Sequence, residues 1–534
     1  MSSVREFDYV IVGGGSAGCV LAARLSEDPR NSVCLLEAGG ADTSPLVHAP
    51  FGIAAMVPSR HNNWAYKTVP QPGLNGRRGY QPRGRVLGGS SSINAMVYIR
   101  GHAVDYDGWE AAGAAGWGWK DVLPVFKASE DNARGADDHH GAGGPLHVSD
   151  QVSHSDANAA FLEAAAHAGL RANPDFNGAS QDGAGMYQVT IKGGRRWSAA
   201  RGYLDPARGR KNLTIVTEAR ALRLEVKGNA CVGVEVAIRG SRETLRSRKE
   251  TILAAGAFGS PQLLLLSGIG DEGSLGPHGI PVRHELPGVG RNLHDHIDYT
   301  LSYESPMKDL VGLSPQGLAR VLGAIAEYRE KGTGLITTNL AESGAFIRTR
   351  PGLAAPDAQL HFVIAIVEDH GRRRQFRLGF SCHACVLRPR SRGTLGLASA
   401  DPLASPRIDP AFLQDDEDLR TLARAVCMTS GILERLPLER YRGRNRTGEA
   451  WRPESQLEPL LRAQADTVYH PVGTCRMGTD ELAVVDPQLR VRGMEGLRVA
   501  DASVMPAVVG GNTNAPTIMI AERAARFAAS YPAR

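Results

Sequence analysis

Along this chain the hydrophobic positions run in blocks whose spacing changes at glycines. Residues 9–12 ("YVIV") form a continuous apolar run of buried-strand length. Glycines follow at once, and "CVLAARLSE" then sets small and aliphatic residues at helical spacing. "SVCLLEA" is a second strand with Glu37 at its end, and "ETILAAGA" a third that turns through glycine into "FGSPQLLLLSGIG", a helix. Later, "LHFVIAIV" and "GTLGLAS" alternate as strands of an antiparallel sheet do, and "LRTLARAVCMTSGILERL" predicts a helix behind them. These elements make an α/β chain without an internal repeat. With 534 residues, 42% of them hydrophobic, it exceeds a single core.

The first forty residues carry the most chemistry. Gly13-x-Gly15-x-x-Gly18 stands between the first strand and its helix. Glycines there make a tight turn and let backbone approach a pyrophosphate at the helix N-terminus, while Gly18 permits close helix–strand contact. Glu37 closes the next strand, where an acid accepts from a ribose hydroxyl and disfavours a 2′-phosphate. The reading is a dinucleotide site for FAD or NAD, with the fingerprint alone unable to choose between them. Two further glycine-rich segments, residues 84–109 and 256–270, are places where backbone and small residues meet a flat polar ligand.

Composition narrows the class. The net charge of +5 is mild, and basic residues are scattered among acids in place of the concentrated stripe that nucleic acid requires. Seven dispersed cysteines suit reduced thiols in a cytoplasmic protein, and "CHAC" at 382–385 reads as strand thiols with no second pair to complete a metal site. His294 and His296 in "NLHDHID" have the look of a metal cluster but are read as structural, so no metal is expected. The apolar run at residue 9 leaves no room for a cleavable leader, and no stretch is long enough to span a bilayer. Docking to the inner face of a membrane stays open.

In order along the chain, residues 84–107, 256–270, "GVGRNLHDH" (288–296), "YHPVGTCRMG" (469–478) and "LRVADASVMP…GGNTNAPTIMIAERAA" (497–525) resemble the signatures of the glucose–methanol–choline (GMC) oxidoreductase family. The resemblance covers essentially the whole chain and is nearest the bacterial choline-dehydrogenase-like and medium-chain alcohol dehydrogenases. It implies FAD. The cofactor-binding residues carried over are Gly13, Gly15, Ser16, Ala17, Gly18, Glu37, Ala38, Trp64, Gly88, Gly89, Ser91, Asn94, Ala95, Met96, Val97, Ala221, Asp501, Ala502 and Thr517. Trp64 and Ala221 belong near the adenine, residues 94–97 along the isoalloxazine. Some members bind FAD covalently through a histidine just before this asparagine. Ile93 stands there, which implies non-covalent flavin. A discontinuous Rossmann-like FAD domain (1–155, 200–305, 465–534) and an antiparallel-sheet substrate domain (156–199, 306–464) follow.

Oxidising an alcohol removes a proton and a hydride. Flavin N5 can take the hydride, and a base near the hydroxyl must take the proton, a task for which histidine is suited. His470, before a proline, could by itself be only a turn residue. The resemblance makes it the base and makes Asn514 the group that holds the alcohol oxygen. Glu342 and His361 fall in the substrate domain, as pocket lining or as buried structure. The implied activity is oxidation of a primary aliphatic or aryl alcohol, with electrons passed to a quinone or other non-oxygen acceptor. Oxidase, choline dehydrogenase, lyase and photodecarboxylase are the alternatives. Scarce aromatics in residues 330–400 disfavour choline.

Overall fold

A computed structural model describes residues 4–152, 155–447 and 454–530. Two sheets organise it. The first has seven strands, ordered Leu213–Val216, Val33–Leu36, Val4–Val12, Ser241–Leu253, Ala230–Ile238 and Ala219–Lys227, with Leu497–Val499 also beside Ser241–Leu253. The four longer-range pairings are parallel, and the three strands 219–253, joined by tight turns, run antiparallel. Val10, Ile11, Val33 and Leu35 are all buried, because the parallel part is covered on both faces and alternation is lost there.

Five helices place the functional residues: α1 (Ser16–Leu25), α2 (Gly256–Leu266), α3 (Pro315–Lys331), α4 (Asp416–Leu433) and α5 (Asn514–Ala529). α1 packs against α5. The Arg24 guanidinium donates twice to Glu522 at 2.9 Å, Tyr203 Oη donates to the same carboxylate at 2.8 Å, and Tyr9 Oη reaches the Ala528 carbonyl. Residues some 500 positions apart thereby share one layer, and the nucleotide-binding unit is discontinuous in sequence.

The second sheet has six strands, in the order Asp466–Thr467, Ile297–Glu304, Gly379–Val386, Ala358–Val363, Ser343–Ile347 and Gly183–Met186, every neighbouring pair antiparallel. α4 lies behind it. Leu419, Leu422 and Val426 join Leu301, Phe362 and Phe380 in one core, as the helical spacing of that segment predicts.

Several sequence boundaries fall elsewhere. Residues 297–304 and 466–467, placed with the nucleotide unit, are strands of the second sheet. "GTLGLAS" is not part of that sheet. Thr394–Gly396 pairs with Arg407–Asp409, and Leu395, Leu397 and Ile408 pack into the first core. Alternation specifies a strand and its buried face, but not which layer does the burying.

All seven cysteines are free thiols. Cys382 and Cys385 sit three apart on one strand, so they point to opposite faces and enter different clusters. A shared metal or a disulfide is geometrically closed to them, and burial pushes both thiols well up. Among the described residues no helix is long and apolar enough to cross a membrane.

Candidate active site

A cavity of about 620 Å³ runs from the loop after the first strand to the face of the second sheet. Its nucleotide end is made of backbone. Gly13 has φ +105°, and a Cβ there would lie 2.6 Å from the Ala254 carbonyl oxygen. Gly89 has φ +53°, and a Cβ on it would lie 2.6 Å from Gly15 Cα, so the two glycine loops cross in contact. α1 begins at Gly15 with no side-chain cap, which leaves its first amides turned to the cavity as an anion site.

Glu37 is buried and accepts from the amides of Gly14 at 3.0 Å and Gly39 at 2.7 Å. Burial pushes its pKa up to about 7. Trp64 stacks on Tyr66 at 5.5 Å, and the guanidinium carbons of Arg85 and Arg220 stand 4.7 and 4.5 Å from its ring centroid. This is a flat, cation-flanked aromatic surface of the kind that holds a nucleobase. Ala38 and Ala221 complete that end of the wall.

Of the sequence-identified cofactor residues, Gly18, Gly88 and Ser91 do not line the cavity. A Cβ on Gly18 would sit 1.8 Å from the Gly13 carbonyl oxygen, so this glycine serves the helix–strand contact. Gly88 donates its amide to the Gly14 carbonyl at 2.8 Å, and Ser91 ties the Gly88 carbonyl to the Ala199 amide. The remainder line it, from Ser16 and Ala17 through residues 94–97 to Asp501, Ala502 and Thr517. Asp501 accepts from Gly256 and Ser260, fastening the start of α2 to the C-terminal segment.

Beneath residues 91–97 lies Arg196, which sequence reading missed. It is buried with no carboxylate against it. Its donors go to the carbonyls of Val47, Ser91 and Asn94 and to Asn94 Oδ1, and burial alone draws its pKa down to about 9. It holds the loop in which Met96 takes φ +59°.

His470 lies in the wall of the same cavity, and three contacts fix it. Asp295 accepts the His470 amide at 2.7 Å and also takes Thr467 Oγ1. Tyr469 just before it has φ +75°, with its carbonyl held by Arg83 at 2.6 Å. His470 Nδ1 is 3.0 Å from His296 Nδ1.

That last contact decides the tautomer. His296 Nε2 is 3.0 Å from the Leu387 carbonyl, which can only accept, so Nε2 carries the proton. Burial draws the His296 pKa down to about 3, so its Nδ1 is a lone pair and the proton in the 3.0 Å contact belongs to His470. Burial, with the neighbouring His296, His361 and Arg83, also holds His470 well below its usual value, so it is neutral and its Nε2 is unprotonated.

The amide on that nitrogen belongs to Asn512, whose Nδ2 stands 3.2 Å away. Gln359 Nε2 donates to Asn512 Oδ1 at 3.2 Å, which orients the amide so that nitrogen faces His470. Asn514 is turned the other way and accepts from Ser16 Oγ at 2.8 Å, although it too lines the cavity. It opens α5, whose Thr513 N-cap makes no side-chain bond, so this helix also presents free amides and the positive end of its dipole.

His361 joins the group. It lines the cavity and bonds Asn512, and burial draws its pKa down to about 3. Glu342 belongs to packing, bonded to Asn158 and Thr338 at 2.6 Å each. His294 has both ring nitrogens on backbone, at Asn292 and Val508. The outer cavity is apolar, with Phe51, Ile53, Val57, Val363, Ile366 and Leu313 among its walls.

Comparison with known proteins agrees with this arrangement. Residues 7–298 and 389–521 match the two domains of the GMC oxidoreductases. An alcohol dehydrogenase [acceptor] of Pseudomonas putida is 46% identical over 98% of this chain and 95% of its own. The mitochondrial choline dehydrogenase of Homo sapiens is 44% identical over 99% and 90%. Pyridoxine 4-oxidase from Mesorbium loti superposes with TM-score 0.86 at 34% identity, over 97% of this chain and 98% of that one. The glycine crossing, the uncapped α1 and the Trp64 platform suit the FAD that these oxidoreductases carry. The chain belongs to the GMC oxidoreductase family and is an FAD flavoprotein that acts on CH–OH groups.

Proposed function

We propose that this protein oxidises an uncharged primary alcohol, aliphatic or aryl, to the aldehyde, and passes the electrons to a quinone or another non-oxygen acceptor. The observation that carries the reading is a neutral histidine whose unprotonated nitrogen, His470 Nε2, meets only the Asn512 amide in the wall of a cavity whose other end is a dinucleotide cradle. FAD, when bound, supplies the acceptor for a hydride from the alcohol carbon. Gly13, Gly15, Ser16, Ala17 and Gly89 hold its pyrophosphate, Glu37 and Ala38 its ribose, Trp64 and Ala221 its adenine, and residues 94–97 with Thr517 its ring. Ile93 offers no nucleophile, so the flavin is held non-covalently.

His470 Nε2 takes the hydroxyl proton. Asn512, beside that nitrogen, and Asn514, through the amide nitrogen left by its bond to Ser16, hold the oxygen without competing for that proton. Positioning of this kind supplies much of a barrier reduction when the reacting atoms are aligned. His296 keeps the His470 proton on the far nitrogen and acts only through it.

The charge of the walls supports a neutral substrate. The carboxylates lining the cavity are Glu37 and Asp501, both at the nucleotide end and both bonded to backbone amides, while Arg373 and Arg374 line the mouth. A quaternary ammonium would meet cations on entry and, among the described residues, no carboxylate in the lining outside the nucleotide end. The non-oxygen acceptor rests on the alcohol dehydrogenase [acceptor] relative.

The experiment is anaerobic. Alcohols from 1-butanol to 1-dodecanol, benzyl alcohol and choline are added to the yellow protein and flavin bleaching is followed. Bleaching by the uncharged alcohols and not by choline is the expected result. Bleaching by choline alone reverses the substrate assignment, and bleaching by dithionite only removes alcohol oxidation.

His470→Ala should slow alcohol-driven reduction by roughly 10²–10⁴-fold with FAD still bound. Because burial lowers its pKa, the base form persists as pH falls through 6.5, so kcat/KM should keep its plateau through that range. A loss centred near 6.5 would show an ordinary, solvated imidazole.

His296→Leu removes the acceptor at His470 Nδ1 and should cost about 10²-fold in kcat. His296→Gln, whose carbonyl can accept the same proton, should recover part of that loss. Equal loss in both variants would assign His296 to packing alone. Acid precipitation should leave yellow flavin in the supernatant, and a yellow pellet would contradict the reading of Ile93.

A further inference from the structure

We propose that the rim of the cavity mouth is a docking surface for an anionic lipid bilayer. The rim is built by the first turns of α3 and by residues 367–377. Leu313, Leu318, Leu322 and Phe376 are 49%, 51%, 61% and 66% exposed. Leu318 and Leu322 stand four apart and share one face of α3. The Leu313 amide donates to the Gln375 carbonyl at 3.0 Å, which brings the approach to α3 and the loop into one surface. Single exposed leucines need no explanation, but four large apolar side chains on adjoining segments do.

Charge selects the occupant. Through residues 315–326 α3 carries Arg320 and no acid. The loop carries Arg372, Arg373, Arg374 and Arg377. Arg372 pairs with Asp369 and Arg373 with Glu368, while Arg374 and Arg377 stand exposed on either side of Phe376. Apolar side chains ringed by arginines enter the boundary of headgroup and acyl chain while the cations meet lipid phosphates. A second copy of this chain would bring like charges together.

The patch is continuous with the cavity, since Leu313, Leu318 and Val321 with Arg373, Arg374 and Gln375 line its mouth. Docking therefore turns the mouth to the bilayer. Delivery of an apolar alcohol or acceptor by that route rests on the proposed function, whereas the docking itself does not.

The test floats the FAD-loaded full chain with vesicles of phosphatidylcholine, with and without phosphatidylglycerol. Binding should be about 10-fold stronger to the anionic vesicles and fall as salt is raised. Leu322→Glu combined with Phe376→Glu should lose that binding about 10-fold, while bound FAD and bleaching by a short alcohol stay unchanged. Neither side chain lines the cavity. Absence of flotation by the wild type, or equal flotation by the variant, overturns the proposal. So does a wild-type dimer that the variant lacks, without flotation, which would assign the patch to a second copy. Vesicle binding without bleaching by any alcohol would sink the proposed function and leave the docking surface standing.

Discussion

The whole arrangement depends on three stretches of backbone occupying nearly the same place. Residues 13–18 touch residues 254–255 on one side and residues 88–89 on the other, with no side chain between them. A methyl group at Gly13 or Gly89 would drive these segments apart, and one at Gly18 would clash with the Gly13 carbonyl within the turn itself. Because the contact is made, the free amides of α1 face the cavity, the second glycine loop lies across them, and residues 94–97 follow in register behind. The bidentate Arg24–Glu522 pair then brings α5 onto the same layer, and with it Asn512 and Asn514. Remote segments thus become neighbours at one ligand.

Around His470 the constraint is different: nearly everything there is buried, and buried charge is expensive. The protein answers with neutral imidazoles whose nitrogens are shared out. His294 spends both on backbone, His296 one on backbone and one on His470, and His470 turns its second nitrogen to the Asn512 amide in the cavity wall. Burial draws all three below the ordinary range, which keeps them uncharged. Asp295, the carboxylate among them, is itself raised by burial and is committed to the His470 amide and Thr467. As the proposed base, His470 needs no acidic partner on its ring, since a second histidine stands there as acceptor.

The nucleotide cradle was legible in the sequence because its physics is local. A strand, a glycine turn and a helix follow one another, and Gly13 and Gly18 each answer to a backbone contact. The pairing near His470 was harder to read. In "GGNTNAP" the two asparagines stand two apart, and α5 begins between them. Asn514, at the first helical position, turns back over α1 toward Ser16, whereas Asn512, outside the helix, reaches His470. Spacing from His470 cannot reveal where that helix starts. Arg196 was hidden for a related reason: "RR" on a two-residue strand puts one arginine in and one out, and only tertiary packing says which. The sheet assignment of residues 297–304 and 394–409 could not be read, because the strand pattern is local and the partner sheet is set by long-range pairing.

The free thiols described for the fold have a chemical consequence at the site. Six of the seven are buried, and none lines the cavity, nor does any lysine. An enzyme that turns a CH–OH group into a carbonyl releases an electrophile into its own walls. Thiolates add to such carbonyls and amines condense with them, so either residue in the lining would be a trap for product. The walls here offer imidazoles, amides, hydroxyls, carboxylates, arginines and hydrocarbon, and burial pushes the thiols of Cys19, Cys34, Cys382, Cys385 and Cys475 up, which holds them protonated. In the proposed reaction the carbonyl product meets no thiol and no primary amine among the described lining residues.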